Sequence, residues 1–206
     1  YLDTTYTDFK APKSGYPFKL IKHIKEGYFK TEGKVLDIGC GFGEQMGAFE
    51  ANGYTPSGID LSPSVLKLKD RFDVKVFDLE NSSFPYPENH FDFVFSKSVI
   101  EHMHHPHHLF DHALKTLKPK GKAVIMTPSW EHTMWGPFYM DHTHVTPFTK
   151  ISLEDLLVMS GFKNVKVFHF YQLPFVWQSK VLRMVPKIIS KLPLSLIHIS
   201  EPTRQF

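Results

Sequence analysis

Cysteine is almost missing from this chain of 206 residues: there is one, Cys40. An internal disulfide is thereby excluded, and a reducing compartment, the cytoplasm, fits the composition. No apolar run is long enough to span a bilayer, no stretch reads as a secretory signal, and no segment repeats. Charge of one sign is scarce too. Lys and Arg number 24 against 21 Asp and Glu, and a net charge of +3 is too small to argue for a nucleic-acid partner. Hydrophobic content of 42% and charged content of 22% are those of an ordinary globular protein, long enough for one domain with a full core.

What the chain does contain is concentrated in the nine residues Val35 to Gly43, VLDIGCGFG. Val35 to Ile38 reads as a short buried strand that stops at Gly39. Glycines then stand at alternate positions, Gly39, Gly41 and Gly43, and a helical pattern starts at Glu44 with Met46 and Phe49, ending at Gly53. A glycine turn between a parallel strand and a helix lets a ligand lie against bare backbone, because no Cβ intervenes. The spacing is G-x-G-x-G, unlike the G-x-G-x-x-G of dinucleotide sites. Asp37 sits inside the strand, where a carboxylate is awkward beside a pyrophosphate and suits a cationic ligand. Cys40, with no base near it in sequence, reads as a small space-filling residue rather than a nucleophile.

Further stations follow in register. Tyr54 to Asp60 reads as a second strand ending in a carboxylate, about 20 residues past the glycines, where an acidic side chain can accept ribose hydroxyls. Ser62-Pro63 offers an N-cap and a first-turn proline. Val74 to Asp78 is a third strand, Phe91 to Ser96 a fourth, followed by Val99-Ile100-Glu101-His102. A helix through Leu109, Phe110, Ala113, Leu114 and Leu117 leads to the turn Lys118-Pro119-Lys120-Gly121 and a fifth strand, Ala123 to Met126. Ile151 to Ser160 is a helix with Ser152 as cap and Gly161 as stop, and Asn164 to Phe170 reads as a sixth strand.

The glycine loop and this succession, including the L-K-P-x-G turn, resemble the class I S-adenosylmethionine (SAM) methyltransferases, in their small-molecule branch. The resemblance covers about Val35 to Phe170. It implies an α/β fold, a Rossmann-like doubly wound and mostly parallel sheet with helices on both faces. It implies S-adenosyl-L-methionine as cofactor, held by Asp37, Gly39, Cys40, Gly41, Gly43, Asp60, Leu61, Asp78, Leu79 and Ser96. In the family the residue matching Asp78 accepts the adenine amino group and the neighbour matching Leu79 packs on the ring. Lys120 departs from the usual glycine of that turn and reads as a variant on the side away from the cofactor.

Pro128 to Lys150 is an aromatic-rich insertion with Trp130, Trp135, Phe138, Tyr139, Phe148 and the histidines His132, His142 and His144. Its stretch from Asp141 to Thr149 resembles one seen in methyltransferases of cell-surface glycan and lipid pathways. The implied acceptor is a small molecule or a lipid- or glycan-linked one. Methyl transfer from a sulfonium needs no nucleophilic side chain, but a hydroxyl acceptor benefits from a base, for which His144, His102 and His142 are the candidates. The run His102, His104, His105, His107, His108 and His112 is irregularly spaced and lacks cysteine partners, so no metal is expected. A nicotinamide-dependent oxidoreductase and a non-catalytic SAM-binding module are the alternatives.

The two ends carry further expectations. Lys19 to Phe29 reads as a helix with Leu20, Ile21, Ile24 and Tyr28 on one face, after a leader with Tyr6, Phe9, Tyr16 and Phe18 that either packs at the edge or lids the site. Leu173 to Leu192 is apolar and basic: either a helix at an anionic membrane surface, which would put the protein at the inner face, or one packed on its own domain. Leu194 to Arg204, LSLIHISEPTR, matches a translated transposase adapter used in sequencing libraries. Residues 1–193 are therefore expected to be one methyltransferase domain and 194–206 a non-native tail. The seventh, antiparallel strand of the family sheet, inserted between the fifth and sixth, is expected to be missing.

Overall fold

Five short stretches rich in β-branched and aromatic residues pair into one parallel sheet. They are β1 (Lys34–Ile38), β2 (Thr55–Asp60), β3 (Asp73–Val76), β4 (Phe91–Lys97) and β5 (Leu117–Met126), in the spatial order β3-β2-β1-β4-β5. The structure, a computed structural model, describes residues 15–134, 138–172 and 174–177. The chain divides into two units, Tyr1–Phe168 and His169–Phe206. In the second, Trp177 Nε1 donates to the Tyr171 carbonyl at 2.7 Å and its ring lies 5.1 Å from Phe170.

Helices α1 (Tyr16–Ile24), α2 (Glu44–Ala51), α3 (His107–Thr116) and α4 (Lys150–Met159) flank the sheet. Alternation along β4 assigns the faces. Phe93 and Phe95 join Phe29, Phe49 and Tyr54, with Phe29 stacked on Phe93 at 4.2 Å. Val94 faces the opposite way, among Leu109, Phe110 and Ala113 of α3 and Leu153 of α4. Each such buried aromatic or aliphatic side chain stabilises the fold by about 1.5–3 kcal/mol.

The sequence places Tyr28 on the buried face of the first helix, whereas Phe29 is buried and Tyr28 is not. The last turn, Lys25–Phe29, is a π-turn whose extra residue shifts the phase by one position. Thr149, not Ser152, caps α4. Its hydroxyl accepts from the Ser152 N–H at 3.1 Å while the Ser152 hydroxyl accepts from the Thr149 N–H at 2.9 Å, a reciprocal capping box. The L-K-P-K-G turn is absorbed into β5 as an irregularity opposite Phe91 and Phe93, with Lys120 at φ 68°.

Asn164 to Phe170, the expected sixth strand, joins no ladder. In the family order it would pair through the inserted seventh strand. No described residue forms that strand, and β5 is the outer strand among the described residues. Tyr6, Phe9, the tail from Leu194 and all of 173–192 except 174–177 lie outside the described residues. Among those described, no helix is long and apolar enough to cross a membrane.

Candidate active site

Strand order reverses between β1 and β4, which makes the crevice beyond their carboxyl ends the place where a doubly wound sheet receives a ligand. Gly39, Gly41 and Gly43 lie there at φ 77°, 52° and 76°. The first two residues of the loop are fixed by N–H donation from Gly39 (2.8 Å) and Cys40 (3.1 Å) to the Ile59 carbonyl. A side chain at Gly39 would put its Cβ 2.2 Å from Val99 Cγ2, so glycine is required by space as well as by φ. Cys40 is buried with Met46, Val65 and Phe72, and burial, helped by Asp37 and Asp60, pushes its thiol well above the usual range.

Asp37 is almost completely buried and its Oδ2 has no hydrogen-bond partner among the described residues. Burial, then the nearby Asp60 carboxylate, raises its pKa to about 8, against a smaller pull from Lys97. Asp60 accepts from the Gly41 N–H at 2.9 Å through Oδ2 and from the Ser62 N–H at 2.8 Å through Oδ1. A carboxylate has about four acceptor sites, so capacity for two hydroxyls remains. Asp78 lies just past the end of β3. Its oxygens take the Glu80 N–H and the Asn81 amide, each at 2.9 Å, and these bonds, that of Asn81 foremost, hold it below the usual carboxylate range. Leu79 packs partly against the main core, while Leu61 is 69% exposed. Ser96 is buried and its hydroxyl donates to the Ile38 carbonyl at 3.0 Å, which ties β4 to β1.

Across the crevice, the stretch Asp141 to Thr149 is fastened to the segment after β4. Thr143 donates through its hydroxyl (2.6 Å) and its N–H (3.0 Å) to Asp141 Oδ1. Val145 and Thr146 donate their N–H groups to the Glu101 carbonyl at 2.8 and 3.0 Å, and the Thr146 hydroxyl donates to the Met103 carbonyl at 2.6 Å. Phe148 is buried in the main core, and its carbonyl accepts from the Trp130 N–H at 2.8 Å.

This fastening brings two of the three candidate bases together. The rings of His102 and His144 lie 4.7 Å apart, edge to face. His102 Nδ1 meets the Thr143 hydroxyl at 2.8 Å, and His144 Nδ1 meets the Phe138 carbonyl at 2.7 Å. Burial, then His144, holds His102 below the usual imidazole range, which favours the neutral, basic form. His142 is exposed. Trp130, Phe138 and Tyr139 pack edge-on against one another, and the Phe138 ring lies 4.7 Å from that of His144. His112 is structural: stacked on Phe84 at 4.8 Å, with Nε2 3.1 Å from the Leu79 carbonyl.

Sequence reasoning passed over Glu101 and Lys97. Glu101 is fully buried; its Oε2 accepts from the Thr127 hydroxyl at 3.0 Å, and its carboxyl is raised chiefly by burial. Lys97 is held below the usual lysine range by burial, against the carboxylates of Glu101, Glu44 and Asp37. The one local signal was an acidic residue and a histidine side by side just past a strand end, in the first turn after the crevice.

Such a crevice, with a glycine loop, a buried carboxyl in its first strand and a second carboxylate at the end of β2, is that of a class I SAM-dependent methyltransferase. Residues 15–167 match the model of a methyltransferase-domain family, and the chain belongs to that family. It is similar to phosphoethanolamine N-methyltransferase 2 of Caenorhabditis elegans, 35% identical over 59% of this chain and 28% of that protein. It is also similar to demethylmenaquinone methyltransferase of Tropheryma whipplei, 28% identical over 52% of this chain and 46% of that protein. The chain thus spans less than half the length of these two relatives. A SAM-dependent methyltransferase structure from Archaeoglobus fulgidus shares the fold with a TM-score of 0.65, at 23% identity over 90% of both chains.

S-adenosyl-L-methionine is the cofactor the family implies, and the residues fit it. The orphaned Asp37 oxygen suits a cationic group, the bare backbone from Gly39 to Gly43 admits close approach, and Asp60 retains acceptor capacity. No phosphate-type cradle of the G-x-G-x-x-G kind is present at this loop, which disfavours the nicotinamide alternative.

Proposed function

We propose that the chain transfers the methyl group of S-adenosyl-L-methionine to a hydroxyl oxygen of a small-molecule or lipid- or glycan-linked acceptor, by in-line displacement. The observation that supports oxygen is the His102–His144 pair beside the crevice. The cofactor supplies a methyl group already activated by a sulfonium. Asp37 and Asp60 would hold it, and the insertion's aromatic side chains would exclude water from the acceptor side. The imidazole pair then removes the acceptor proton. The relatives' names speak of a phosphoethanolamine nitrogen and of demethylmenaquinone; the oxygen reading for this chain rests on the histidines.

Calorimetric titration with S-adenosylhomocysteine, on the chain and on Asp60→Ala, tests the cofactor half. Micromolar binding that weakens at least tenfold in the variant is expected. Turnover over paired hydroxyl and amine acceptors tests the other half. A folded chain that binds no S-adenosylhomocysteine, or methylation confined to amines, overturns the proposal.

A further inference from the structure

We propose that Glu101, His102 and His144 form a binding site for one divalent cation of the zinc, manganese or iron(II) type. The site deepens the methyl-transfer reading: its catalytic role rests on that reading, its existence does not.

Three observations converge. One ligand atom from each residue lies within 4.8 Å of the others. Glu101 Oε1, on a fully buried residue, has no hydrogen-bond partner among the described residues, although Oε2 is held by Thr127. A buried polar atom left unpaired calls for a missing partner. The third observation is how the imidazoles are held. His144 Nδ1 lies 2.7 Å from the Phe138 carbonyl and so carries the proton. The Thr143 hydroxyl donates to Asp141, which leaves it to accept from His102 Nδ1. Each ring is thus held through Nδ1 by an oxygen, the arrangement in which a neutral imidazole carries its proton there. Metal-binding histidines are oriented by outer partners of this kind.

The donor set selects the ion. Two imidazoles and one carboxylate favour borderline first-row cations over magnesium or calcium. Three protein ligands leave a position open, the arrangement of catalytic rather than structural sites. At ion–donor distances of about 2.1 Å, tetrahedral donors sit about 3.4 Å apart, so binding draws the His144 loop toward Glu101. The exposed run His104, His105 and His107, to which the sequence draws the eye, has no such buried carboxylate among its members. In methyl transfer the acceptor hydroxyl would take the open position. Its O–H proton leaves to water, the O–CH3 bond forms as the S–CH3 bond breaks, and the electron pair stays on sulfur. The imidazole pair then acts through the ion instead of as a free base.

Titration of the full chain with Co2+ and Zn2+ tests the site without any acceptor. One equivalent should bind, with visible Co2+ bands, and Glu101→Gln and His144→Ala should each weaken binding at least tenfold. The double variant His107→Ala/His108→Ala should bind as the parent does. In the unaltered Co2+ form, paramagnetically shifted NMR should show two exchangeable Nδ1–H signals, a readout that needs no variant to fold. Absence of stoichiometric binding in a chain that still binds S-adenosylhomocysteine, binding lost only with His107 and His108, or absence of both shifted signals overturns the site. Metal binding by a chain that binds no S-adenosylhomocysteine would instead overturn the methyl-transfer reading and leave the site standing.

Discussion

Replacing Asp37 by Asn removes the most strongly perturbed carboxyl of the crevice while keeping its shape. In the cofactor-free protein this group titrates at about 8 instead of 3.8, because burial and Asp60 oppose its ionisation more than Lys97 favours it. The folded form therefore binds the proton more tightly than the unfolded chain does. Below pH 4 both forms are protonated and nothing is lost. As pH rises from about 4 towards 8 only the unfolded chain releases the proton, so stability falls by up to about 1.4 kcal/mol per pH unit. Above 8 the loss is complete. Between pH 5 and pH 7 the group should thus remove about 3 kcal/mol from the cofactor-free protein. Urea unfolding at pH 5, 6 and 7, on parent and Asp37→Asn, isolates this slope, since every other group contributes equally to both. The variant should gain relative stability as pH rises. Cofactor binding should act the opposite way: a cation beside Oδ2 favours the ionised form, so affinity in the parent climbs towards pH 8, and the Asp37→Asn substitution weakens it at least tenfold. Parallel pH–stability curves for the two proteins would refute the reasoning, because they would show Asp37 to be ionised in the fold throughout.

Gly39→Ala should destabilise the protein by about 2–4 kcal/mol, from overpacking against Val99 plus a left-handed backbone. Adding Val99→Ala should recover the steric part only, as measured by urea unfolding of the two variants. Lys120→Gly should stabilise by about 0.5–1 kcal/mol, because the exposed lysine stands at φ 68° where glycine carries no steric penalty; a lower midpoint would contradict this. Thr143→Val removes the oxygen between His102 and Asp141, and should lower kcat at least tenfold with S-adenosylhomocysteine affinity unchanged. His142→Ala, at an exposed position, should leave kcat within twofold of the parent.

Local signals were legible where neighbours in sequence are also neighbours in space. The glycine loop, Asp37 within its strand, the carboxylate ending β2 and the stop at Gly161 all act through residues a turn away. Reading failed where phase or partner came from elsewhere. Tyr28 and Phe29 exchanged places because one π-turn moved the register by a residue. Asn164 to Phe170 alternates like a strand, but a strand exists only if another backbone lies alongside.

The sequence by itself determined the class. Alternate glycines after a buried strand, with carboxylates at successive strand ends, allow few folds, since backbone conformation and hydrophobic period are short-range properties. Only the tertiary structure decided which side chains meet beyond the end of β4. Which two of three histidines meet, and that they do so beside a buried Glu101, depend on the contact between the segment after β4 and the loop from Asp141 to Thr146. These residues are far apart in the chain, and their encounter is set by packing across the crevice, which no local pattern encodes.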